Sequence, residues 1–294
     1  MLRQLFSISV LIIVTGCAIV QQARAPDSSG EPIRLIIRGD DFGMCRSVNV
    51  AVEKAFKEGV LTCTSLMVPC PWFEDAARIC RNNPGLQVGV HLTLNSEWAE
   101  YRWGPVLPAS EVPSLVDDDG YFYATVKGFL DANPKPEEVE KELRAQVERA
   151  YQAGIDVAYV DYHMGTAVSR PEYRRIVEKI AQEHQIPISR YYGEKDTPNI
   201  YHTPPRQKTK RLVEILEGLQ PGFWLLVCHP GLDSVEMQGM SAANPASLQN
   251  IAANRGAVTR ALTSPAVKRL IKRRHIQLLG YRDIRNSIIR KSPH

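Results

Sequence analysis

The stretch RLIIRGDDFGMC, residues 34–45, decides how this chain is read. Its apolar run Leu35-Ile36-Ile37 is a short buried strand, and that strand delivers two adjacent carboxylates, Asp40 and Asp41, to one place. Two like charges side by side repel, and neither stands on a helix face where solvent would dilute the cost. The turn reads Gly39-Asp40-Asp41-Phe42-Gly43 and lacks the G-x-G-x-x-G loop that would favour a dinucleotide-binding sheet.

Outward from this strand, β-type and helical segments alternate. After IRLIIRG (33–39) come the strand-like segments CTSLMVP (63–69), LQVGVHLTL (86–94), VAYVDYH (157–163), QIPISRYYG (185–193), FWLLVCHPG (223–231) and IQLLGYRDI (276–284). Helical spacing is clearest in PKPEEVEKELRAQVERAYQAG (134–154), where prolines open the helix and glutamates fill its first turn. Val139, Leu143, Val147 and Tyr151 form its stripe, and Gly154 ends it. Further helices are expected over 48–59, 73–85, 170–184, 204–219 and 264–275, and an irregular aromatic excursion over 120–133. This alternation predicts an α/β fold with mostly parallel strands, closed or nearly closed into a (β/α) barrel of one domain, with a doubly wound open sheet as the alternative.

The chain has 294 residues, 44% hydrophobic and 23% charged, enough for one full-sized core. A net charge of +4, with no basic stripe interleaved with aromatics, excludes a nucleic-acid partner from the reading. Met1-Leu2-Arg3 followed by LFSISVLIIVTG (5–16) has the length of a signal-peptide core, too short to span a membrane. Val14-Thr15-Gly16-Cys17 resembles a bacterial lipobox, which implies a lipid on Cys17, export to the bacterial cell envelope and membrane contact through that anchor only. Cleavage after Ala25 is the alternative, although Pro26 would then follow the cut. Residues 1–17 are read as leader, 18–31 as a flexible tether and 32–294 as the barrel. Cys45, Cys63, Cys70, Cys80 and Cys228 are odd in number, with no CxxC, and read as small buried apolar residues.

Polar residues gather at the ends of the predicted strands. Asp40 and Asp41 end the first, His91 lies in the third, Asp161 and His163 end the fourth, Arg190 ends the fifth and His229 ends the sixth. In a parallel barrel these ends share one rim, where active sites form. Taken singly, each has a bland explanation: a histidine bonded in the core, or Asp41 capping the helix that begins near Ser47. Their coincidence points instead to one carboxylate and two imidazoles holding a divalent metal. A second carboxylate would stand beside it as base and a further histidine as acid.

GDDFGMCRSVNVAVEKAFKEGVLTCTSLMVP (39–69), VGVHLTL (88–94), VDYHMG (160–165) and LVCHPG (226–231) resemble, in order and spacing, the YdjC-like (ChbG/HpnK) carbohydrate deacetylases. The resemblance implies a distorted barrel that removes acetyl groups from N-acetylated sugars with Zn²⁺ or Mg²⁺. Carried across, Asp41, His91 and His163 would be the ligands, Asp40 the base that activates water and His229 the acid. Arg190 is a lesser candidate for orienting Asp40. The family's D-x-H-x-x-H pattern is broken here by Met164 and Gly165 in DYHMGTA. The insertion over 95–123 carries Trp98, Tyr101, Trp103, Tyr121 and Tyr123, whose rings either stack on a sugar or pack the loop. Another amide or ester substrate on the same barrel, or a carbohydrate-binding lipoprotein without catalysis, are the alternatives. A homodimer is compatible with all three.

Overall fold

The structure, a computed structural model, describes residues 30–291 except residue 246. The leader, Cys17 and nearly all of the tether lie outside the described residues. Among the described residues no helix is long and apolar enough to cross a membrane.

The elements in chain order are β1 (Ile33–Phe42), α1 (Arg46–Glu58), β2 (Cys63–Leu66), α2 (Phe73–Asn82), β3 (Gln87–Leu92), α3 (Val126–Asp131), α4 (Pro136–Gln152), β4 (Val157–Tyr162), α5 (Pro171–Glu183) and β5 (Lys195–Asp196). They continue with α6 (Lys208–Gly218), β6 (Gly222–Cys228), α7 (Val235–Gln238), α8 (Ile251–Thr263), α9 (Pro265–Arg273), β7 (Gln277–Leu279) and α10 (Tyr281–Lys291). All ladders are parallel, in the order β4-β3-β2-β1-β6-β5, and β7 pairs with β1. β1 is central: Ile33–Gly39 pairs with β6, while its other edge meets β7 at Arg34–Ile36 and β2 from Arg38 onward. The result is the expected distorted parallel barrel, a curled sheet wrapped by helices.

One predicted strand is corrected. In QIPISRYYG only Ile188 bridges to Val160, and the strand in this part of the chain is the exposed pair Lys195–Asp196. Pro187 cannot donate to a ladder, and Arg190 (φ +73°) and Gly193 (φ +84°) turn the chain out of the extended region. The same short segment therefore touches β4 at one end and β6 at the other, spanning the gap between the sheet's outer strands.

α4 does more than cover the sheet. Val139, Leu143 and Val147 are buried as expected, but Tyr151 is exposed and stacks on His184 instead. The helix also buries Glu138, Glu142 and Gln146. Glu142 accepts from the Val106 and Leu107 amides (2.9 and 3.1 Å), Glu138 from Ser114 (2.8 Å), and Gln146 bonds Thr93 in both directions. The excursion between β3 and α3 has little ladder of its own, so these side chains satisfy its buried backbone groups. Inside the sheet, Gly89 makes room for the Tyr159 ring: a Cβ there would meet ring carbons at 2.5 Å. All five described cysteines are free and buried, as read.

Candidate active site

The two aspartates owe their arrangement to a bulge. Gly39 pairs with Thr64 and Phe42 with Leu66, so Asp40 and Asp41 together face the single residue Ser65. Asp41 takes a left-handed conformation (φ +69°), which breaks the alternation that would send neighbouring side chains to opposite faces. The turn is fixed by Asn49 Oδ1, which accepts from the Gly43 amide (2.8 Å). Asp41 does not cap α1, whose first amides donate to Glu236 (Arg46 at 3.2 Å, Ser47 at 2.7 Å).

Asp41, His91 and His163 come together as expected, all buried. Asp41 Oδ1 lies 3.7 Å from His91 Nε2 and 3.5 Å from His163 Nδ1, and it is a buried oxygen without a hydrogen-bond partner. Each imidazole is held from behind by a carboxylate: His91 Nδ1 by Asp161 (2.9 Å) and His163 Nε2 by Glu97 (2.9 Å). Carboxylate-backed imidazoles converging on an orphaned carboxylate oxygen are the donor set of a divalent metal site, and these residues fit one. Asp40 also comes within ligand range of His91, as does Asp161.

Two guanidiniums balance this cluster, and neither was anticipated. Arg38 donates Nε and Nη2 to Asp40 (2.7 and 3.0 Å) and Nη1 to Ser189 (2.7 Å), and its Nη2 lies 3.0 Å from Asp161. Arg255, on α8, donates Nη2 to Asp41 Oδ2 (2.6 Å). Burial opposes ionisation of Asp41, but Arg255, with His163 and His229, holds its carboxyl well below the usual range. Asp161 is likewise held low against burial by Arg38 and His91. His163 is opposed by burial but pushed up to about 10 by Glu97 and Asp41, so without metal it carries a proton.

His229 follows β6 on the same rim. Burial lowers its pKa, partly offset by Asp41 and Asp40, so its imidazole is neutral at pH 7. Arg190 does not orient Asp40: it pairs with Asp196 at 2.9 Å, and Arg38 does that work. Trp98 and Trp103 are each only 3% exposed, so they present no open face to a sugar. Trp103 donates to the Asn95 carbonyl (2.8 Å) and edges onto His163, while Trp98 packs beneath Arg255. Trp103 thus backs a ligand, and Trp98 backs the guanidinium that serves Asp41. Tyr121 is exposed, under the Arg102 guanidinium, and Met164 stands exposed beside His163 where the family pattern is broken.

The sequence places Asp161 on the rim but gives it no role, although it lies two residues before His163 and pairs in register with His91. Arg38 and Asp40 stand in the same i, i+2 relation. Glu97 and Arg255 lie on a loop and an unanticipated helix, and carried no signal.

The chain is similar to several known proteins. A carbohydrate deacetylase of Brevibacillus brevis is 36% identical over 156 residues, 53% of this chain and 58% of that protein. One of Geobacillus stearothermophilus is 26% identical over 271 residues, covering 86% of this chain and 98% of the relative. A crystal structure from Enterococcus faecalis V583, described under cellobiose-phosphate cleavage, superposes with a TM-score of 0.71 at 26% identity. It covers 86% of this chain and 99% of its own. The family model described as YdjC-like protein matches residues 34–273, and the chain belongs to that family.

Proposed function

We propose that this protein is a metal-dependent hydrolase that removes acetyl groups from N-acetylated sugars. The observation that carries the reading is Asp41 Oδ1, buried and unpartnered, facing two imidazoles that are each backed by a carboxylate. Relatives of nearly full length named carbohydrate deacetylase support the substrate class. Imidazole donors suit Zn²⁺ better than Mg²⁺. A divalent ion held by Asp41, His91 and His163 would supply Lewis acidity to an attacking water and to the acetyl carbonyl.

The remaining chemistry belongs to the chain. Asp40, fixed by two hydrogen bonds from Arg38, takes the proton of the attacking water. His229 delivers a proton to the departing amine. Its depressed pKa makes it a strong acid once protonated, and the proton it gives must be gained within the cycle. Asp161 and Glu97 hold the two imidazoles in the orientation that faces Asp41. We further propose that Cys17 carries a lipid that anchors the enzyme in the cell envelope. Mass spectrometry of the exported protein tests this, and an unmodified Cys17 within an intact leader would refute it.

Acetate release from N-acetylglucosamine oligomers tests the main reading. It should be abolished by a chelator and restored by about one equivalent of Zn²⁺. Asp40→Asn should keep the metal and lose roughly 10²–10⁴-fold in kcat. Acetate release unaffected by metal removal would sink the metal-dependent reading, and full activity in Asp40→Asn would sink the base.

A further inference from the structure

Tyr201 stands on the rim without a part in the chemistry above. It lies in the connection between β5 and α6, and its ring meets His229 edge-on with centroids 5.2 Å apart at 68°. The connection is pinned from below by Lys208, which is 1% exposed and donates Nζ to the Ile200 and Tyr201 carbonyls (2.6 and 2.9 Å). Tyr201, Lys208, His229, Asn254 and Arg255 line one small cavity. A buried ammonium spent on two carbonyls of one loop is a costly mount, and it fixes where this ring stands.

The ring is fixed but its hydroxyl is not used by the protein. Tyr101, Tyr159, Tyr173 and Tyr281 all place their hydroxyls in hydrogen bonds. Tyr201 Oη makes none among the described residues, although the residue is half-buried. Arg255, which lines the same cavity, bonds Asp41 at 2.6 Å, so that cavity adjoins the proposed ligand cluster, and burial raises the hydroxyl's pKa and keeps it a donor.

We infer that Tyr201 touches the substrate. Its hydroxyl donates to the amino-sugar side of the bond being cut, because its ring backs His229, the group assigned to the departing amine. This rests on the deacetylase reading. A pinned ring beside His229, with a hydroxyl that no described residue engages, is a donor awaiting a polar partner, and a sugar supplies hydroxyl acceptors.

Tyr201→Phe keeps the ring and its contact with His229 and removes only the oxygen. For an N-acetylglucosamine oligomer, kcat/KM should fall about tenfold or more. Binding of the de-N-acetylated oligomer to the metal-loaded protein, measured by titration, should weaken to a similar degree, with inhibition by acetate unchanged. Values of kcat/KM and amine-product affinity within twofold of the natural protein would overturn the inference. Weakened acetate inhibition with unchanged amine affinity would overturn it too, by putting the hydroxyl on the acyl side. If the natural protein releases no acetate, it is the deacetylase reading that fails. The titration then still decides the Tyr201 contact: an affinity reduced in Tyr201→Phe upholds it, and equal affinity or no binding to either protein removes it.

Discussion

Replacing Arg38 by Met should unsettle the site without touching a metal ligand. Arg38 is 2% exposed and serves two buried carboxylates and Ser189 at 2.7–3.0 Å. A methionine fills most of its volume but leaves Asp40 and Asp161 without their counter-charge. Stranding a buried charge costs about 3–5 kcal/mol. At about 2–4 °C per kcal/mol for a domain this large, the Tm of metal-free protein should drop by roughly 6–20 °C. The deficit should also depend on pH, and its sign follows from Asp161. Burial pushes that carboxyl up, and Arg38, then His91, pull it below its usual value. Its stabilisation is therefore present above the unfolded pKa and lost as pH falls through the folded one. Without Arg38 burial wins, the carboxyl accepts a proton more readily, and the penalty is relieved in acid. Thermal melts of metal-stripped natural and Arg38→Met protein at pH 8 and pH 5 read both effects. A Tm change under 2 °C, or a deficit no smaller at pH 5, would refute the assignment of Arg38 as the buried counter-charge.

Two further outcomes follow from the same contacts. Arg255→Met should destabilise metal-free protein by about 3–5 kcal/mol, because Asp41 loses the guanidinium hydrogen-bonded to it. Its melting temperature should then rise more on adding Zn²⁺ than that of the natural protein, and an equal rise would count against the shared role. Glu142 is pushed up to about 7 by burial, against the amides and Gln146 that favour its charge. The folded state thus holds a proton that the unfolded state releases near 4.5, so stability present below that value is lost as pH rises through 7. The effect amounts to about 3 kcal/mol. Urea midpoints at pH 5 and pH 8 should show this loss in the natural protein and not in Glu142→Gln, and parallel pH dependence in the two would contradict it.

The barrel was legible because its strands are short apolar runs separated by amphipathic helices, and four of the five rim positions chosen for chemistry mark strand ends. What escaped did so for physical reasons. α8 is buried on nearly every side, from Ile251 and Ala252 through Arg255 to Leu262, so it shows no stripe of alternating polarity and its small residues read as loop. β5 is two exposed polar residues whose pairing comes entirely from the edge of β6. The aromatic residues of the insertion were ambiguous because composition does not say which way a ring faces. Trp98 and Trp103 face inward, their indole nitrogens donating to Met44 Sδ and the Asn95 carbonyl, while Glu138, Glu142 and Gln146 of α4 tie the flanking backbone to the barrel.

The question posed by adjacent aspartates is answered by formal charge. Asp40, Asp41, Asp161 and Glu97 bring four negative charges to one buried or nearly buried cluster, and Arg38 and Arg255 return two positive ones. Two negative charges are left over, the complement of a divalent cation. The guanidiniums are also placed selectively. Arg38 takes both oxygens of Asp40, and Arg255 takes only Oδ2 of Asp41, leaving Oδ1 facing the imidazoles. Without metal, the proton on His163 makes up part of the deficit, and that is why its pKa is pushed up so far. Two carboxylates that look alike in sequence are thus made unlike by their partners: the one whose oxygens are both engaged suits the base, and the one with a bare oxygen suits the ligand.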